Sequence, residues 1–179
     1  MGVYRTRGRV ILRPLMADDE EQALAAHEEL ERDRYTFLSG VRRGEDWRTY
    51  LERLAQEQAG VGLHEGRVPS TYLVGDVDGV IVGCVSVRHR LNDSLAQVGG
   101  HIGYAVRPAF RNRGHATAML RQALAVARTL GLAEALVTCD DDNVASAAVI
   151  ERCGGVLQDV VPAPGSCGTK RRYWLSTAV

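Results

Sequence analysis

The six residues RNRGHA, from Arg111 to Ala116, stand where an apolar run, GGHIGYAV, gives way to a run with helical periodicity. The first amides of a helix have no partner within it, and the helix dipole adds partial positive charge there. An anion is stabilised at that end. Gly114 lets backbone approach a ligand with no Cβ in the way, and Arg111 and Arg113 bring fork-shaped, charge-assisted donors for phosphate oxygens. A pyrophosphate matches this chemistry. Taken alone, the same six residues also read as two solvated arginines beside a packing glycine. Neither G-x-x-x-x-G-K-S/T nor G-x-G-x-x-G occurs, so the P-loop and dinucleotide readings fall away.

Two further positions carry proton chemistry. His101, on the strand leading to this junction, has an imidazole whose ordinary pKa of about 6.5 suits a general base at neutral pH. It reads equally as a histidine hydrogen-bonded within a sheet. Asp140, at the end of a later strand, is the other candidate base, although DDDN (140–143) is also an acidic helix start that complements the dipole. DVDG (76–79) lacks the further carboxylates of a calcium loop and reads as a turn. The cysteines Cys84, Cys139, Cys153 and Cys167 show no zinc spacing and read as buried, reduced thiols; no metal is expected.

Composition narrows the partners. In 179 residues, 22 basic side chains balance 22 acidic ones, so no global field favours nucleic acid or an anionic membrane. KRRY (170–173) is too short for a nucleic-acid surface. The first ten residues lack the apolar core of a signal peptide, Arg7 spoils a myristoylation signal at Gly2, and no run approaches the roughly 18 apolar residues of a membrane span. A cytoplasmic protein is expected. One domain, residues 1–179, follows from a hydrophobic content of 45% with no repeat, linker or low-complexity tract.

The elements that must position these groups can be read from pattern. VILRPL is a short strand stopped by Pro14, and Asp18 with Glu21 has the spacing of a capping box that opens a first helix. A second helix, over EDWRTYLERLAQEQAG, places Trp47, Tyr50, Leu51 and Leu54 on one face and ends at Gly60. TYLVGDVDGVIVGCVSVRHRL is a hairpin around Asp78-Gly79, a dipeptide suited to a type I′ turn. NDSLAQ is a polar connection of undefined form. VGGHIGYAVRP is a strand that Pro108 stops, and from Ala116 the residues Met119, Leu120, Ala123, Leu124, Ala127 and Leu130 recur at helical spacing up to Gly131. AEALVTC is a strand; VASAAVIERC is a helix capped by Asn143 or Asp142 and closed by Gly154; GVLQDVV and TKRRYWL are two last strands. The order predicts an α/β domain with a mixed sheet, and a right-handed crossover from about Val98 to Cys139.

The junction resembles the acetyl-coenzyme A signature of the GNAT superfamily of N-acetyltransferases: Arg or Gln, two residues, Gly, one residue, then Gly or Ala. Arg111, Gly114 and Ala116 fill it here. Val106 and Pro108 match the preceding strand end, and NVASAAVIERCGG resembles the family's second motif through Asn143, Ser146 and Gly154-Gly155. GGHIGYAVRP, TCDDDNVAS, IERCGG and RRYW resemble, more closely, a bacterial subgroup of predicted acetyltransferases. The likeness runs from about Thr71 to Leu175, making residues 71–175 the cofactor-binding core and residues 1–70 a variable, substrate-facing part.

That resemblance implies the GNAT fold, a mixed sheet of about seven strands flanked by about four helices. It implies direct transfer of the acetyl group from acetyl-coenzyme A to a primary amine, through a ternary complex and a tetrahedral intermediate. The pyrophosphate would lie on Arg111, Asn112, Arg113, Gly114, His115, Ala116 and Thr117, with His115 offering its amide rather than its ring. The pantetheine arm would pair with the backbone of Tyr104, Ala105 and Val106, with Val106 also donating its amide to the thioester oxygen, and Asn143 and Ser146 would touch the arm. The expected acceptor is a small-molecule amine, with a protein N-terminus or lysine as the alternative and a non-catalytic acyl-coenzyme A sensor as a reading of another class. A homodimer through C-terminal strands is the family's common assembly. One departure stands out: many members carry a tyrosine general acid at the position filled here by Ile150. Ser146, Cys153, Tyr173, a water or direct thiolate release are the substitutes.

Overall fold

A computed structural model describes residues 8–42, 44–163 and 168–178. Cys167, Gly2 and most of the Pro/Gly loop before the last strand lie outside the described residues. The strands β1 (Ile11–Arg13), β2 (Ser70–Val77), β3 (Val80–Arg88), β4 (Ile102–Val106), β5 (Glu134–Asp140), β6 (Val156–Pro162) and β7 (Thr169–Ser176) form one mixed sheet in the order β1-β2-β3-β4-β5-β7-β6. Its helices are α1 (Glu20–Glu31), α2 (Trp47–Ala59), α3 (His115–Thr129) and α4 (Val144–Arg152). Every neighbouring pair of strands is antiparallel except β4–β5, which the α3 crossover makes parallel.

The side-chain alternation of the strands divides the core in two. On one face Val85 and Val87 of β3 and Val137 of β5 meet the α3 stripe Met119, Leu120, Ala123, Leu124 and Ala127. On the other, Tyr72, Val74 and Cys84 meet Ala23, Ala26 and Leu30 of α1 and Trp47 and Tyr50 of α2. Leu120 and Leu124 are essentially inaccessible, and burial of each side chain is worth roughly 1.5–3 kcal/mol, which fixes the start of α3 against the sheet. Gly83 lets β3 and β4 approach, because a Cβ there would stand 2.3 Å from the carbonyl oxygen of Ala105.

The hairpin turns at Asp78 and Gly79 with φ of 53° and 81°, as a type I′ turn requires. The start of α1 differs from the expected capping box at Asp18 and Glu21. A 3₁₀ turn over Ala17–Asp19 precedes the helix, and Asp19, not Asp18, accepts the Met16 amide at 2.7 Å. The reason is tertiary: Asp19 is buried and bound by Arg13, which also bridges to Asp76 at 2.7 Å. A second strap ties α1 to the end of β4. Buried Arg107 holds Glu29 through two hydrogen bonds of 2.9 and 2.7 Å and the Ile81 carbonyl through a third at 2.8 Å. NDSLAQ resolves as an Asn92-capped π-helical turn over Leu95–Gly99. Among the described residues no helix is long and apolar enough to cross a membrane, and Cys84, Cys139 and Cys153 are free thiols.

Candidate active site

β4 and β5 share one register pair, Ile102 with Val137, and then part. Arg107 donates its amide to the Val82 carbonyl of the neighbouring β3 at 2.9 Å. By alternation Ala105 and Gly103 turn their backbone groups to β3, while Tyr104 and Val106 turn theirs toward β5. With β5 drawn away, those groups face a gap. It opens into a cavity of about 890 Å³ walled by Tyr104–Val106, residues 111, 112 and 114–117, Asp140, Asn143, Ser146 and the segment Asp33–Tyr35 that follows α1.

The head of α3 forms one end of this cavity. Asn112 and Gly114 adopt left-handed conformations, φ 60° and 79°, and no atom lies within 4 Å of where a Cβ on Gly114 would stand. The first backbone bond of the helix runs from Ala118 to Gly114 at 3.1 Å, and among the described residues none takes up the amides of 114–117. His115 adds an orphan: its Nε2 is buried with no partner, and burial, with the nearby charge of Arg113, lowers its pKa and keeps the ring neutral. The arginines depart from expectation. Arg111 donates Nε to the Val106 carbonyl at 3.0 Å and pairs with Asp33, tying the loop to the end of α1. Arg113 is exposed, packs 5.7 Å over the Phe110 ring and does not line the cavity. The unpartnered donors of the loop are thus chiefly its amides.

The opposite wall is α4. Asn143 caps it, accepting the Ser146 amide at 3.0 Å, so the cap reading and the cavity-facing position hold together. The Ser146 hydroxyl lies 2.8 Å from the Tyr104 phenol, which burial pushes up to about 12. Ile150 is buried in the core. Of the substitutes, Cys153 turns its thiol to the Thr117 carbonyl and Tyr173 donates to Glu151 at 3.1 Å, both outside the cavity wall. Tyr35 and Tyr104 both line the cavity, and it is the Tyr104 phenol that meets α4, at Ser146, one turn before Ile150. Sequence reading took Tyr104 for its backbone alone, although its place on the face of Ile102 and Val106 carries a signal: even positions of β4 point to α3 and α4. Asp33 and Tyr35 left no such signal, because only the tertiary fold brings them here.

His101 does not join this site. Its Nδ1 accepts the Leu136 amide at 2.9 Å, its ring lies 6.2 Å from that of Trp174, and it sits at the end of β4 remote from Val106. Burial, followed by the charge of Arg88, lowers its pKa. The ring thus has the arrangement of a histidine hydrogen-bonded within the sheet, outside the cavity wall. Asp140 does line the cavity, paired with Lys170 at 2.7 Å.

A family model described as the acetyltransferase (GNAT) domain matches residues 9–156. The chain belongs to the GNAT acetyltransferase family. Solved structures share this GNAT fold across nearly their whole length. A putative acetyltransferase from Salmonella typhimurium, yncA, solved with acetyl-CoA, is 18% identical over 94% of this chain and 94% of its own, with a TM-score of 0.65. An acetyl transferase from the same organism, described as modifying the N-terminal serine of ribosomal protein L7/L12, is 17% identical over 98% and 97%, TM-score 0.66. A spermidine N-acetyltransferase SpeG chimera from Vibrio cholerae and hSSAT is 16% identical over 94% and 96%, TM-score 0.63. No curated protein matches the chain significantly in sequence.

Proposed function

We propose that this GNAT protein transfers the acetyl group of acetyl-coenzyme A to the primary amine of a small molecule. The observation that carries the reading is one cavity holding both the amides of 114–117, unpartnered among the described residues, and the β4 edge that β5 leaves at Tyr104 and at the Val106 amide. The residues fit the cosubstrate. The amides offer partners to a pyrophosphate and its waters, and the β4 edge offers amide and carbonyl groups to a peptide-like arm. When bound, acetyl-coenzyme A supplies an acyl group activated as a thioester.

The chain's own residues divide the remaining work. The Val106 amide, facing the gap, donates to the acyl oxygen as charge develops there; one such donor is worth about 3 kcal/mol. Asp140, at the cavity wall, takes the amine's proton directly or through a water. The Tyr104 phenol, raised to about 12, stays protonated at neutral pH and donates a hydrogen bond to the departing sulfur, with Ser146 orienting it at 2.8 Å. The mismatch with a thiol of pKa about 8.5 makes it a hydrogen-bond donor to the thiolate rather than a full proton donor.

Thiol release from acetyl-coenzyme A across a panel of primary amines, beside thermal denaturation with and without coenzyme A, tests this reading. Stabilisation by coenzyme A together with amine-dependent thiol release is expected. Stabilisation without release for any amine supports a sensor instead, and absence of stabilisation removes the cosubstrate assignment.

A further inference from the structure

On the α1 and α2 face of the sheet, a second, smaller cavity of about 130 Å³ lies against the far end of β3. Its wall includes Arg88, Arg67, Glu57, Ser39, Ser70 and Ser86. Glu57 is already engaged, by Arg67 at 2.9 Å and by the Ser70 hydroxyl at 2.7 Å. Arg88 has no ion-pair partner among the described residues, and Glu57 acts on it only through space. Its Nη1 donates to the carbonyls of Gly99 and Gly100 at 3.1 and 3.0 Å, while Nε and Nη2 make no hydrogen bond and no carboxylate pairs with it among the described residues. Burial lowers its pKa, as expected of a cation short of compensation. The free Nε–Nη2 edge is the side of a guanidinium that binds a carboxylate in a bidentate fork. The hydroxyls of Ser39 and Ser86 are likewise unengaged and line the same space.

Both cavities reach the α1 and α2 face of the sheet, the larger one through Ala105 and Tyr35. Ser86 is the register partner of Gly103, and Cys84 that of Ala105, so all four side-chain positions share the α1 and α2 face. Gly103 adds no side chain between them, Arg88 Nη1 stands 3.9 Å from where its Cβ would be, and the Tyr35 hydroxyl lies 4.0 Å from Cys84 Sγ on the same face. Ala105 already lines the larger cavity. The step from Gly103 to Ala105 is about 7 Å. An α-amino acid is too short to reach both ends.

We infer that the acceptor amine carries a carboxylate four or five carbons from its nitrogen, held by Arg88 with Ser39 and Ser86 while the amine lies beside Val106. This rests on the acetyl transfer proposed above for the amine end. No covalent step is added: the pocket binds and orients.

Two measurements test it. In the first, thiol release from acetyl-coenzyme A is compared for 5-aminovalerate, its length-matched neutral amine pentylamine, 4-aminobutylphosphonate and glycine. A kcat/KM preference of about 30-fold for 5-aminovalerate over pentylamine is expected. Release with no preference for the carboxylate overturns the pocket and leaves the acetyl transfer standing, and a preference for the phosphonate overturns the choice of carboxylate. In the second, 5-aminovalerate is titrated calorimetrically onto the protein with coenzyme A bound, which reads the pocket without turnover. Binding is expected in the parent, with at least about tenfold loss in Arg88→Gln. It is also expected to be lost in Ser86→Asp, which sets an anion in the pocket and leaves the Arg88 ties to Gly99 and Gly100 intact. Equal binding in either variant, equal binding of pentylamine, or no binding to the parent overturns the inference.

Discussion

Tyr104 joins two roles through one residue: its backbone faces the gap between β4 and β5, and its phenol meets Ser146 at 2.8 Å. Tyr104→Phe is therefore expected to lower kcat about tenfold while leaving the KM for acetyl-coenzyme A within about threefold, since the backbone contact survives. An unchanged kcat removes the phenol from the reaction. His101→Ala is expected to leave the acidic limb of the pH–rate profile in place, because its imidazole is committed to the Leu136 amide. The backbone role was implied by the family resemblance alone; what spacing made legible was the strand stop before Pro108 and the glycine-led start of the next helix. The phenol's role was not legible. A side chain's partner across the fold depends on the separation of β4 and α4, which no spacing within β4 encodes. Arg113, by contrast, stands exposed over the Phe110 ring, outside the cavity wall, an arrangement its charge and position did not announce.

At the level of elements, the site depends on two helix starts and one close strand pairing. The α4 start was fully legible, because Asn143 at the cap position accepts the Ser146 amide that its spacing predicts. Asn143→Ala should cost about 1 kcal/mol of stability. It should also weaken coenzyme A, since the cap lines the cavity; denaturant titration and cosubstrate affinity read the two effects separately. A change in neither would show that α4 is held entirely by packing. The α1 start was misjudged by one residue. Asp18 and Asp19 are chemically identical, and only the fold brings Arg13 and Asp76 to the second. The π-helical turn over Leu95–Gly99 had no sequence signature. Thr138 fixes it by donating its hydroxyl to the Val98 carbonyl at 2.8 Å, and Arg172 by donating to that of Ala96 at 2.9 Å, both from strands distant in sequence.

For the molecule as a whole, the balance of 22 basic and 22 acidic side chains conceals a directional response to pH. Burial lowers the pKa of His89, and lowers those of His101 and His115 with help from Arg88 and Arg113. The Arg107 guanidinium holds Glu29 below the usual carboxylate range; for Asp19 burial opposes the shift, but Arg13 and the Met16 amide prevail and lower it too. In each case the unfolded chain binds protons more readily than the folded one, so stability falls as pH falls. The loss should begin as pH drops through about 6.5, the ordinary histidine value, and continue below about 4, where the unfolded carboxylates take up protons before the folded ones. Thermal denaturation between pH 8 and pH 4 checks this; a Tm that holds level or rises on acidification contradicts it.

Charge at the head of α3 tests the central claim at this same scale. A carboxylate in the first turn of a helix complements its dipole, so Ala116→Asp leaves the fold intact while setting negative charge on the amides assigned to the pyrophosphate. Calorimetric titration of coenzyme A onto the parent and onto Ala116→Asp, at equal ionic strength, is the most direct measurement. Binding to the parent, weakened at least about tenfold in Ala116→Asp with no loss of Tm, is the predicted result. Equal affinity in the two proteins, or no binding to either, would contradict it.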